Sequence, residues 1–481
     1  MKELLNLEYY NYYLLAAGII TLLASVIPNV FRKKWPTPPI IYLFLGIIIA
    51  FAGSEYTDFD VMMHSNTIRR VSEFVVIVAL TNAGLKIRKP FSWQTWRYSF
   101  RLLLITMPLT IIGAAYVGWW LVGLAPATAV LFGALISPTD PVLASDLQTS
   151  RPSKKDLSKI RLGLTSEAGL NDGLAFPFTY FAIFLADKDL DYSQWISNWF
   201  YIEVLYKIAI GGVIGFVAGW ALYKLIFSIT SESHHSKISR GILALALTLF
   251  PYGLTELLGG YGFIAAFIAA CAFSNSEDKA KYMDSLHSFT EEIERIFVAF
   301  MFIFVGIYVC ATIDELLDVM IIITALIVLL VIRPVSGWIA LYRTDLTSFE
   351  KFALSFYGIR GVGSIFYLMY AMVQTTFPNS YELIHVTTVV IVLSVIIHGL
   401  SAALTTSVHR RRSAAARSGS RRTRGGWRPF TPAPSPTAPS GRRSSSTTPF
   451  GRRSGIGSRD PCRRRGGDHS VKLRGTPCSY R

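Results

Sequence analysis

Long apolar runs, separated by short polar or charged loops, fill the first 407 residues of the chain. A bilayer-crossing helix needs about 20 mostly apolar residues. Thirteen stretches read as candidates: about 12–30, 38–53, 70–87, 100–123, 126–147, 157–185, 202–229, 239–257, 260–274, 289–310, 318–342, 351–374 and 381–407. The pattern predicts an all-α membrane protein of about 13 transmembrane helices. Met1 to Tyr13 carries two acids, one lysine and no small-residue cleavage site, so the first run reads as a retained helix and not a signal peptide.

Composition agrees with that reading. The 481 residues are 52% hydrophobic and 16% charged, with a mean hydropathy of +0.41, which excludes an ordinary soluble domain. The formal charge of +16 suggests nucleic acid or anionic lipid until it is located. From His409 onward 18 Arg and 1 Lys face 2 Asp, a net of +17, so residues 1–408 carry 28 basic and 29 acidic side chains. All the basicity sits in the tail. Two domains follow: a transmembrane domain, 1–408, and a disordered Arg-rich tail, 409–481, whose composition cannot bury enough apolar surface to offset the entropy of ordering it. Three readings of the tail stand: a polybasic segment beside anionic lipid, an RNA-binding segment, which its sparse aromatics Trp427, Phe430, Phe450 and Tyr480 disfavour, or a stretch foreign to the native chain. Nucleic acid is accordingly not expected as a partner. Cys271, Cys310, Cys462 and Cys478 have no metal-ligand or redox spacing.

Short-loop lysines and arginines favour the cytoplasm. Arg32-Lys-Lys34 closes the first run, and the same side receives Lys86 to Arg101, Arg151 to Arg161, Lys237/Arg240, Lys279/Lys281, Arg343/Lys351 and the tail. The opposite side receives Glu55/Asp58/Asp60, Asp187/Asp189/Asp191, Asp314/Glu315 and Glu382, with Arg69/Arg70 and Lys188 as exceptions. Thirteen spans with the N-terminus outside and the C-terminus in the cytoplasm fit this alternation, in a plasma or inner membrane.

The candidate chemistry lies where charge interrupts apolar helices. An ionised side chain at mid-bilayer costs at least roughly 2.5–3.5 kcal/mol, so such acids face a wet cavity or a partner. In Ile136-Ser-Pro-Thr-Asp-Pro141 two prolines flank Thr139 and Asp140. Proline removes a backbone donor and clashes with the preceding turn, so this helix breaks near Asp140; a proline kink capped by Asp140 would explain as much locally. Broken helices deep in a membrane are tolerated where they line a cavity. In the next helix come Ser166, Glu167, Asn171 and Asp172. Glu167 and Asn171 share a face, while Asp172 lies about 140° from Glu167, so the two acids need not share one job. Arg333 and Arg360 stand in apolar late helices, and Glu167 is an available partner for a buried guanidinium. Arg360 sits among Gly358, Gly361 and Gly363, a second interruption seven spans after the first. Two such weak points in two halves of opposite orientation are the sequence sign of inverted repeats around a midplane site.

These residues carry a resemblance. The Thr-Asp-Pro helix, the Glu-x-x-x-Asn-Asp helix, Ala83-Gly-Leu85 and the late Arg-Pro and Gly-x-Arg-Gly resemble the monovalent cation:proton antiporter family, in its sodium/proton exchanger branch, over roughly residues 10–407. The resemblance implies a 13-helix inverted-repeat fold with two crossing interrupted helices, a homodimer, and exchange of Na⁺, Li⁺ or K⁺ for H⁺ without a cofactor. It implies that Asp172 binds cation and proton in turn beside Asn171, and that Asp140 and the Thr139 carbonyl lie at the helix crossing. Glu167 would pair with Arg333, and Arg360 would hold the second broken helix. Two positions depart from the pattern. Ala168 stands where relatives often have a serine ligand, and Asn82 where some have an acid; Ser166 comes too early to substitute.

One titrating carboxylate, preceded by Asn171 and not by a second Asp, predicts electroneutral 1:1 exchange by alternating access. Two other classes are weighed against it. An intramembrane aspartyl protease would use a proton-sharing pair, but its Tyr-Asp and Gly-x-Gly-Asp flanks are absent, and it would cleave substrate without ion flux. A cation channel would show flux far above a rocking carrier's. The histidines His64, His234, His235, His287, His385 and His398 invite a pH-sensor or metal reading, but they are scattered, with His234 and His235 in a polar loop, and read as solvated. Glu291, Glu292, Glu294 and Arg295 read as an amphipathic helix start, or as a rim that senses pH or attracts cations.

Overall fold

The computed structural model describes residues 9–31, 36–52, 60–88, 91–140, 159–187, 192–229, 240–275 and 280–423. The chain divides into two units, Met1–Ser418 and Gly419–Arg481; apart from the last residues of the C-terminal helix, every feature below belongs to the first. Most of the Arg-rich tail lies outside the described residues.

Every described element is a helix. The first three are α1 (Tyr9–Val30), α2 (Pro38–Ala52) and α3 (Ser65–Lys86). Then come α4 (Trp93–Val122), α5 (Pro126–Ile136), α6 (Lys159–Ala186) and α7 (Trp195–Phe227). The second half has α8 (Arg240–Leu257), α9 (Gly262–Ser274), α10 (Ala280–Ala311) and α11 (Val319–Leu341). The last three are α12 (Ser348–Phe356), α13 (Val362–Gln374) and α14 (Ser380–Thr423). Each of the thirteen apolar stretches overlaps a helix. Within the described residues, five helices have the length and apolar composition to cross a membrane: α4, α7, the Met283–Ala311 part of α10, α11, and the Ser380–Ser401 part of α14. Large apolar side chains are exposed along these same helices, among them Leu104, Ile112, Tyr201 and Phe216, as expected of surfaces that face lipid and not water.

Small residues let the helices approach closely, as packing between helices in a bilayer requires. At the crossing of α2 and α10, a Cβ on Gly46 would come within 2.1 Å of the Ile303 carbonyl oxygen, and one on Gly306 within 2.1 Å of that of Leu43. The core that results encloses α3, α5, α6, α9 and α13, the helices around the charged motifs. At the basic end, Asp345 in the loop before α12 accepts from Arg97 Nη2 at 2.6 Å, Tyr98 Oη at 2.5 Å and Lys159 Nζ at 3.1 Å. It thereby ties the starts of α4 and α6 to that loop.

Candidate functional site

Two helices stop inside the protein. α5 begins with Pro126 in its first turn, where a missing N–H costs nothing, and ends at Ile136 as the chain enters Pro138. α12 begins with a capping box between Thr347 and Glu350 and ends at Phe356. The helical path resumes only at Val362, at the start of α13. The segment that follows Asp140, the expected second half of the first broken helix, lies outside the described residues.

Each broken end is completed by the other. The Asp140 backbone N–H donates to the Ile359 carbonyl at 2.8 Å, and Asp140 Oδ2 accepts the Val362 N–H at 3.1 Å. A helix start leaves backbone donors unpaired and carries partial positive charge, and a carboxylate answers both. In the other direction Arg360 Nε donates to the Ile136 carbonyl at 2.6 Å, where α5 has run out of amide donors. Arg360 also donates from Nη1 to the Gly358 carbonyl and from its backbone to Ser394 Oγ at 2.8 Å. Its guanidinium is wholly buried.

α6 supplies the other groups, and residues 162–172 of it are all buried. Glu167 Oε1 lies 2.6 Å from Arg333 Nη2, both side chains almost fully enclosed. Arg333 follows a π-helical turn, Val328–Ile332, in which its N–H reaches back five residues to the Val328 carbonyl; such a widened turn rotates everything after it on the helix. Asn171 Nδ2 donates to Thr139 Oγ1 at 2.8 Å, tying α6 to the end of α5. The Asn171 oxygen Oδ1, like Ser137 Oγ and Ser364 Oγ, is buried with no hydrogen-bond donor among the described residues.

Asp172 is 3% exposed and packs against the first turn of α13, where a Cβ on Gly363 would lie 2.9 Å from Asp172 Oδ1. Its backbone carbonyl accepts the Tyr367 hydroxyl. No basic side chain pairs with its carboxylate among the described residues. Asp140, Thr139, Asn171 and Asp172 therefore converge on the two helix breaks, while Glu167, Arg333 and Arg360 stand beside them. An aromatic cluster closes one side: Phe176 contacts the rings of Tyr261, Phe263, Phe366, Tyr367 and Tyr370.

Three supporting features were not legible in the motifs. His398 is buried, its Nε2 3.0 Å from the Phe356 carbonyl at the break and its Nδ1 2.8 Å from the Ser394 carbonyl; its place in an apolar run was the available signal. Ser166 turns away from Asp172, bonding the Leu162 carbonyl at 2.5 Å and Ser99 Oγ, so it adds no oxygen where Ala168 has none. Glu294, grouped by sequence with an amphipathic helix start, is 3% exposed and accepts from Asn82 Nδ2.

Residues 18–407 match the family model described as sodium/hydrogen exchanger, transmembrane. A probable Na⁺/H⁺ antiporter of Schizosaccharomyces pombe is 27% identical over 242 residues, covering 49% of this chain and 31% of the relative. The K⁺/H⁺ antiporter NhaP2 of Shewanella oneidensis is 22% identical over 402 residues, covering 81% and 66%. The chain thus spans about a third and about two thirds of these curated relatives. The solved structure of the sodium proton antiporter MjNhaP1 from Methanocaldococcus jannaschii shares the fold, with a TM-score of 0.64 at 18% identity over 82% of this chain and all of that one.

Proposed function

The chain belongs to the transmembrane sodium/hydrogen exchanger family, and from that premise we propose that it exchanges a monovalent cation, Na⁺ or alternatively Li⁺ or K⁺, for H⁺ across the bilayer. Membership places it among integral membrane transporters and not among enzymes. The antiporter names of its relatives support the activity.

The observation that carries the reading is how the buried charges divide. Glu167 and Arg333 neutralise each other at 2.6 Å. Arg360 is committed to two carbonyls, and Asp140 to the start of α13. Asp172 meets no basic side chain among the described residues, although it is buried in the same place. A buried carboxylate without a counter-charge favours any small cation that can reach it, and a proton and a metal ion cannot both occupy the same oxygens. Competition of this kind couples the two fluxes.

Asp172 is the exchanging group. Asn171, Asp140 and Thr139 complete its oxygen set, with the unpaired Asn171 Oδ1 available to a hard cation. With Asn171 preceding it, one carboxylate releases one proton per ion taken up, giving electroneutral 1:1 exchange. Occupancy neutralises Asp172, which lowers the cost of carrying the site from one access to the other. The inverted-repeat arrangement, thirteen spans, an outside N-terminus with a cytoplasmic C-terminus, a homodimeric assembly and a basic tail beyond residue 408 belong to the same reading.

The test is dequenching of a pH dye in everted vesicles on addition of Na⁺, Li⁺ and K⁺ in turn. At least one should collapse an imposed proton gradient, and the order of half-maximal concentrations gives the preference. No response to any of the three contradicts the proposal.

A further inference from the structure

A second buried acid lies outside the group around Asp172. His287, Thr290 and Glu294 recur on α10 at intervals of three and four residues, which puts them on one helix face. That face meets Asn82 of α3: Asn82 Nδ2 donates to Glu294 Oε2, while Asn82 Oδ1 accepts from Thr290 Oγ1 at 3.3 Å and faces His287 Nδ1. Asn82, Thr290 and Glu294 are all at least 97% buried. The stripe begins at the basic end, where Arg88 Nη2 meets the half-exposed Asp284 at 2.6 Å. It stops at Glu294, since farther along α10 the buried residues are Val298, Met301, Phe302 and Val305. At its inner end Glu294 is within electrostatic reach of Asp140.

Glu294 shares one property with Asp172. Three other acids in helices meet a basic side chain: Glu167 meets Arg333 at 2.6 Å, Glu203 meets Lys207 at 2.8 Å, and Glu291 meets Arg295 at 2.5 Å. No ion pair reaches Glu294 among the described residues; Lys86, one turn along α3 from Asn82, acts on it only at a distance. An amide donor satisfies one lone pair of a carboxylate but leaves its charge, and a buried charge is costly without a counter-ion.

We propose that Glu294, with the Asn82 amide and the Thr290 hydroxyl, forms a subsite that takes up the monovalent cation on its way between the Arg88–Asp284 end of α10 and Asp140–Asp172. The inference rests on the antiport reading above. Glu294 supplies the charge and one or both of its oxygens. Thr290 Oγ and, after rotation of its amide, Asn82 Oδ1 are the neutral oxygens at hand. The cation stops here and passes on to the exchanging carboxylate.

The test uses the full chain in proteoliposomes, with Na⁺ and Li⁺ as probes, comparing the parent with Glu294→Gln, Glu294→Asp and Asp172→Asn. Gln keeps an acceptor for the Asn82 amide, so it removes charge with little change of shape, and Asp keeps the charge should Gln fail to fold. Glu294→Gln is expected to raise the apparent KM for the cation about tenfold, with a smaller fall in maximal rate, and Glu294→Asp to recover most of that loss. A KM for Glu294→Gln within about twofold of the parent, or a fall in maximal rate alone, overturns the subsite. Asp172→Asn separates the two readings: if it is inactive while Glu294→Gln matches the parent, only the subsite fails, whereas exchange retained by Asp172→Asn defeats the antiport site itself.

Discussion

Asp140 Oδ2 lies 3.1 Å from the backbone nitrogen of Val362, so the acid that follows one helix break caps the helix that starts at the other. The contact requires glycine before it: a Cβ on Gly361 would sit 2.1 Å from that same oxygen and 2.9 Å from Asp140 Cγ, so the carboxylate would have to move. Gly361→Ala is expected to push Asp140 off the helix start. Loss of a cap costs about 0.5–2 kcal/mol, and the displaced carboxylate should lower cation-driven proton flux about tenfold or more. Flux in vesicles and thermal melting in detergent check the two parts separately. A Gly361→Ala protein with parental flux would show that the Asp140 cap does not shape the site.

The Glu167–Arg333 pair is enclosed on both sides. Removing one partner leaves the other charge buried alone, at a cost of about 3–5 kcal/mol. Glu167→Gln and Arg333→Met should each lower the melting temperature sharply, while the double variant should be less destabilised than either sum implies. Additive effects in that cycle would mean that the two residues do not act as a pair.

Asp345 gives a pH dependence away from the membrane interior. The Tyr98 hydroxyl first, and the Lys159 ammonium second, hold its carboxyl well below the usual carboxylate range. A carboxyl whose folded pKa is depressed contributes stability above its unfolded pKa and loses that contribution as pH falls towards the folded value. Asp345→Asn should therefore melt below the parent at neutral pH and equally so near pH 5, with the gap narrowing below about pH 4. A gap that widens on acidification would contradict the assignment.

The apolar runs made the helices legible, because length and hydropathy decide what a bilayer accepts, and each run overlaps a helix. The breaks were legible too, from Pro138 and Pro141 on one side and Gly358, Gly361 and Gly363 on the other. What sequence could not supply was the reciprocity. Nothing local says that Arg360 finishes α5 at the Ile136 carbonyl while Asp140 starts α13, since the partners are more than 220 residues apart. Glu294 was obscured for a different reason. Its neighbours Glu291, Glu292 and Arg295 made it look like one member of a solvated helix start, yet the face of α10 that it shares with Thr290 turns inward onto Asn82. His398 stands in an apolar run, and only the fold brings its ring to the Phe356 carbonyl at the second break.

Asp172 is proposed to carry the cation and the proton in turn. Purified protein in proteoliposomes, with an inward Na⁺ gradient and a trapped pH dye, tests it through Asp172→Asn, which keeps the shape of the side chain and removes its charge. That variant should give no Na⁺-dependent proton flux at any pH at which the parent works, and the parent's flux should be unaffected by an imposed membrane potential. Proton flux retained by Asp172→Asn would show that another group carries the exchange.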